Sequence, residues 1–137
     1  MLQKLINSSS YRSQIGLVAQ YVPDSMIPKY FSAADVVALP YLRASGSGVA
    51  HIAMAYGKPL IVSDVAALRE SLADYHGALF FPPGDHLALR DRLLQVREVL
   101  GSQNEVYHPP SQRSWDDIAQ RYENVMERLV SEEAATK

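Results

Sequence analysis

The chain has 137 residues, enough for one compact domain with a hydrophobic core and little room for a second. Its 13 Lys and Arg against 15 Asp and Glu leave a formal net charge of -2, so no basic field exists to hold nucleic acid or an anionic membrane surface. Cysteine is absent, which removes disulfides and thiolate chemistry, and no apolar run exceeds about six residues against the ~20 of a membrane span, so a soluble, cytoplasmic protein is the default expectation.

In chain order, Leu2 to Asn7 is short and amphipathic and reads as the tail of a helix. Ile15 to Val22 (IGLVAQYV) has strand composition, and Pro23-Asp24-Ser25 follows as turn and N-cap for a helix through Ile27, Tyr30 and Phe31, with Pro28 in its tolerant first turn. Asp35 to Tyr41 (DVVALPY) suits a strand buried on both faces. A loop from Arg43 to Gly48 leads into a small-residue helix, Val49 to Tyr56, for which Gly57 supplies a left-handed C-cap before Lys58-Pro59. Leu60 to Ser63 is the next strand, Ala67 to Ala73 a short helix, and Gly77 to Phe81 a last strand. Asp85 caps a helix to Leu100 whose stripe is Leu87, Leu89, Leu93, Leu94, Val96 and Leu100. Residues 101–113 form a polar connector, and Ser114 caps a final helix to about Val130 with Trp115 as its core anchor and Tyr122, Val125 and Met126 in its stripe. Alternating strands and helices imply parallel strands joined by crossover helices, an α/β domain over residues 1–137.

Function is to be sought between Asp35 and Asp64, a strand, a Gly/Ser loop, a helix and a second strand. A buried strand that feeds a helix N-terminus through a glycine-containing loop exposes backbone N–H groups carrying partial positive charge, which makes an anion site. Here the loop is Arg43-Ala44-Ser45-Gly46-Ser47-Gly48, followed by Val49. Glycine admits a phosphate close to the backbone, the serines offer hydroxyls, and Arg43 adds charge at the mouth. By itself the pattern is neither G-x-G-x-x-G nor a P-loop, and such loops often only turn the chain. His51, His76, His86 and His108 lack metal-ligand spacing. Asp64 ends a strand on the ligand-binding edge of a parallel sheet, although a turn-forming Asp does so in many proteins. Tyr41 is the one tyrosine near enough to the loop to stack on a base or sugar.

The ordered landmarks carry a resemblance. They are Tyr21-Val22-Pro23-Asp24, Tyr30 to Asp35, the strand ending at Pro40, the helix ending Ala53-Met54-Ala55-Tyr56-Gly57-Lys58-Pro59, the strand ending Ser63-Asp64, the apolar turn to Glu70, Gly77 to Asp85, and Ser114-Trp115 to Tyr122. Together they resemble the C-terminal, donor-binding domain of retaining group 1 (family 4) glycosyltransferases with the GT-B fold. The resemblance implies a Rossmann-like parallel sheet flanked by helices, and a nucleotide-sugar donor whose diphosphate meets Ser45, Gly46, Ser47, Gly48 and Val49, with Arg43 beside them. It implies transfer of a hexose from a UDP-, GDP- or ADP-sugar to a saccharide or lipid acceptor, as in polysaccharide biosynthesis, without a cofactor or an obligatory metal.

Two departures qualify it. The family's pair of spaced glutamates falls on Ala44 and Ile52, so these positions and Glu70 are the candidates for sugar or ribose contacts, and the carboxylate contact to the donor sugar must be replaced from elsewhere in the loop. The strand, Gly-Arg turn and lysine helix that open the family's domain do not precede Ile15, nor does an acceptor-binding domain. The expectation is a fragment, inactive alone, placed in the cytoplasm or at the inner membrane face through the missing domain. Open sheet edges would invite homo-association. The alternative is a non-catalytic interaction module of the same fold. A phosphoacceptor signalling domain is disfavoured, because Gln20-Tyr21-Val22-Pro23 supplies no acidic pair after the first strand.

Overall fold

The structure is a computed structural model that describes residues 2–102, 107, 119–120 and 122–128. It divides into two compact units, 1–33 and 34–137. The first holds helix α1 (Leu2–Ser8), a single 3-10 turn (Arg12–Gln14), a second 3-10 turn (Asp24–Met26) and helix α2 (Ile27–Ala33), with no buried residue in any of them. Pro28 sits in the first turn of α2, where its missing N–H costs nothing. Residues 15–22 form no strand, contrary to their composition, and Ile15 to Tyr21 is exposed throughout. β-propensity expresses a fit to a pleated, half-buried surface, and no neighbouring strand pairs with this segment among the described residues.

The second unit is built on a parallel sheet of β1 (Val37–Leu39), β2 (Leu60–Ser63) and β3 (Ala78–Phe81), in that order. Leu60 lies opposite Val37 on one side and Ala78 on the other, and Ser63 opposite Phe81. Helices α3 (Gly48–Ala55), α4 (Ala66–Ser71) and α5 (His86–Ser102) complete it. All four residues of β2 are buried, as a central parallel strand requires. Ile61 joins Phe81 and Val96 in a core that Leu79, Ala88, Leu89 and Leu100 extend. Strand alternation turns Leu60 and Val62 to the other face, and α3, also in contact with β2, buries Ala50 and Ala53. This is an α/β Rossmann-like sheet flanked by helices.

Three expectations are corrected here. Only Val37 to Leu39 of the Asp35–Tyr41 run pairs, and Ala38 is exposed, because β1 is an edge strand and Pro40 beyond it has no N–H for a ladder. On α5 Val96 is buried and Ala88, Leu89 and Leu100 pack half-buried beside it, while Leu87, Leu93 and Leu94 stay exposed. Asp85 caps that helix as expected, its Oδ1 accepting from the N–H groups of Leu87 (3.0 Å) and Ala88 (2.9 Å). In the closing helix, residues 119–120 and 122–128 are helical, with Tyr122, Val125 and Met126 exposed rather than packed. Ser114 and Trp115 lie outside the described residues.

The turn from α4 to β3 is held by Tyr75, buried at 3 % exposure, whose hydroxyl donates to the Lys58 carbonyl at 2.8 Å. The Tyr107 ring meets it edge-on, with centroids 6.4 Å apart. A Cβ on Gly77 would stand 2.8 Å from the Tyr75 ring and 2.9 Å from that of Tyr107, so only glycine fits between them. Gly77→Ala is expected to cost about 1–3 kcal/mol in urea unfolding, since neither ring can yield cheaply. Burial, with a smaller contribution from Tyr107, pushes the Tyr75 phenol up to about 12. The unfolded chain releases that proton near its ordinary value of about 10, before the folded chain does. The stability due to this group is therefore complete below pH 10 and falls as pH rises towards 12. Urea titrations at pH 8 and pH 11 should show that decline in the parent chain and a smaller one in Tyr75→Phe.

Candidate functional site

The loop between β1 and α3 begins with a chain reversal. The N–H of Tyr41 returns to the Leu39 carbonyl at 2.9 Å, a three-residue turn centred on Pro40. The same carbonyl accepts from the hydroxyl of Ser63, fully buried at the end of β2, at 3.4 Å. The exit of β1 is thus tied to the central strand. Beyond it, Gly46 takes φ +156°, a value side-chain-bearing residues rarely adopt, and neither Gly46 nor Gly48 has an atom within 4 Å of where a Cβ would stand. The loop surface is bare and open at both glycines.

Ser47 is the N-cap of α3. Its φ of -152° is extended, and its Oγ accepts from the Ala50 N–H at 3.2 Å. Its carbonyl accepts from the His51 N–H at 3.3 Å and from the His51 ring, whose Nδ1 donates at 2.8 Å. The N–H groups of Gly48 and Val49, in the first turn, have no partner within the helix. They point out of the N-terminus with the dipole behind them. At the other end the N–H of Gly57, at φ +62°, bonds the Met54 carbonyl (2.9 Å) and that of Lys58 bonds Ala53 (3.0 Å). This left-handed cap fixes where α3 stops.

An open hollow of about 660 Å³ lies over the loop, lined by Tyr41, Arg43, Ala44, Ser45, Gly46, Ser47, Gly48 and Val49. The structure thus brings together every residue proposed from sequence for the diphosphate, along with Ala44. Ile52 is half-buried on α3 and Glu70 is exposed on α4, and neither belongs to that lining. Tyr41 is the addition: sequence offered only its nearness to the loop, whereas here its hydroxyl stands 3.5 Å from Ser47 Oγ.

At the end of β2, Asp64 is engaged by Arg69. The guanidinium donates from Nε at 2.7 Å and also from Nη2, while its carbon lies 4.8 Å from the Phe80 ring centroid. That hydrogen bonding holds the Asp64 carboxyl below the usual carboxylate range. Asp64 serves the β2–α4 turn. Among the described residues no group of three or more His, Asp or Glu could hold a metal ion, and no helix is long and apolar enough to cross a membrane.

A family model described as glycosyl transferases group 1 matches residues 3–98, a span that contains the sheet and the whole lining of the hollow. Comparison with curated proteins and with solved structures gives no significant match. Because Ser47 holds the first turn of α3, Ser47→Ala should cost about 1 kcal/mol in chemical unfolding, with Ser47→Asp retaining most of the stability.

Proposed function

Because the chain belongs to the group 1 glycosyl transferases, we propose that the hollow over residues 41–49 receives the diphosphate of a nucleotide-sugar donor. A single observation carries this reading: the residues that match the family's phosphate-binding positions line one open surface at the N-terminus of α3. The unpaired N–H groups of Gly48 and Val49, the hydroxyls of Ser45 and Ser47, and Arg43 are all donors. They suit a departing nucleoside diphosphate, whose negative charge grows as the glycosidic bond breaks. In this reading the chain is the donor-binding half of a retaining, two-domain enzyme of family 4 with the GT-B fold. The donor is a UDP-, GDP- or ADP-hexose, the leaving group is activated without an obligatory metal, and the acceptor binds to another domain.

Ala44 favours a second reading. It lines the hollow at the position of a family glutamate and brings no carboxylate, which suits a binding module that has lost transfer chemistry. Thermal-shift or ligand-detected NMR titration with UDP, GDP and ADP separates the two. The donor reading requires binding of at least one, weakened at least tenfold by Gly46→Val, whose β-branched side chain is strained at φ +156° and covers the open backbone. Binding of none supports the module.

A further inference from the structure

The Tyr41 hydroxyl stands over the loop with its bonding incomplete. Among the described residues its partner is Ser47 Oγ at 3.5 Å, well beyond the 2.5–3.0 Å of a sound O–H···O bond. Ser47 in turn uses a lone pair for the Ala50 N–H, which leaves its own proton to donate. Two hydroxyls therefore stand side by side at the mouth of the hollow, each with a proton and neither well paired.

The backbone holds the tyrosine there. Its N–H closes the turn on the Leu39 carbonyl, which the buried Ser63 hydroxyl also engages, so the ring's starting point is fixed to the sheet. The half-buried ring lines the same hollow as the loop. A phenylalanine would pack as well, and what the phenol adds is a donor beside Ser47.

We infer that Tyr41 is a ligand-binding residue of this site, its hydroxyl donating to the same phosphate oxygens as Ser47 and the first-turn N–H groups of α3. The inference rests on the diphosphate reading above and adds to it a residue outside the Arg43–Val49 loop. A bound phosphate oxygen replaces the long contact to Ser47 with a charge-assisted bond, which is both shorter and stronger.

The test is isothermal titration of the full chain with inorganic pyrophosphate and with UDP, GDP and ADP, comparing the parent with Tyr41→Phe. Loss of one donor to a charged oxygen should weaken pyrophosphate binding about tenfold, with the melting temperature unchanged. Equal affinity of Tyr41→Phe and the parent for pyrophosphate overturns the role of Tyr41 while leaving the diphosphate site standing. Failure of the parent to bind pyrophosphate or any of the three nucleotides overturns both. If Tyr41→Phe does not fold, ¹³Cζ-tyrosine NMR of the parent decides: pyrophosphate must shift the Tyr41 signal, assigned by its disappearance in Tyr41→Trp, and an unmoved signal sinks the inference.

Discussion

The structure of the second unit depends on the complete burial of β2. Leu60, Ile61, Val62 and Ser63 have no exposed surface, and the strand is paired along both edges. A backbone without access to water must satisfy its N–H and C=O groups within the protein, which obliges β1 and β3 to lie alongside it. Side chains on both faces oblige a helical layer on each. The positions of α3 and α5 follow, and the small residues Ala50 and Ala53 let α3 come close. The ligand edge of a parallel sheet is where its strands end, and the β1–α3 loop opens there.

Ser63, a buried polar side chain at the end of the central strand, links that framework to the site. Ser63 would carry an unpaired hydroxyl in the centre of the sheet were it not aimed at the Leu39 carbonyl. This choice of serine at the end of an otherwise aliphatic strand connects the core to the turn that starts the loop. Ser47 acts similarly at the loop's far end, where its hydroxyl and carbonyl together engage the Ala50 N–H and both donors of His51. The loop is fastened at both ends, and its middle, at Gly46, is open.

Much of this was legible from sequence because it depends on near neighbours. The Gly57 cap, the Asp85 cap, the loop-to-helix junction at Ser47 and the strand Leu60 to Ser63 are fixed by residues within a few positions of one another. What escaped was set by partners distant in the chain. Ile15 to Val22 has strand composition, but a strand exists only where a second one offers its edge. Leucines lie on several sides of α5, and which side is buried was decided by Ile61 and Phe81, not by the helix itself. The contact of Tyr75 with the Lys58 carbonyl, and the demand it makes on Gly77, spans β2 and α4 and left no local signature. In the site, the lining residues were readable as a contiguous motif, while Tyr41 needed the turn at Pro40 to bring its hydroxyl to Ser47.

The register of β2 also governs how the unit assembles. Leu60 finds its partners Val37 and Ala78 roughly twenty residues away in either direction, so two sizeable loops close before the central strand gains its bonds. Each closure supplies the bonds along one edge of β2, and only the two together satisfy the strand. The Gly/Ser loop is contained within the first of those closures, whose two strand ends the Ser63 hydroxyl ties together at the Leu39 carbonyl.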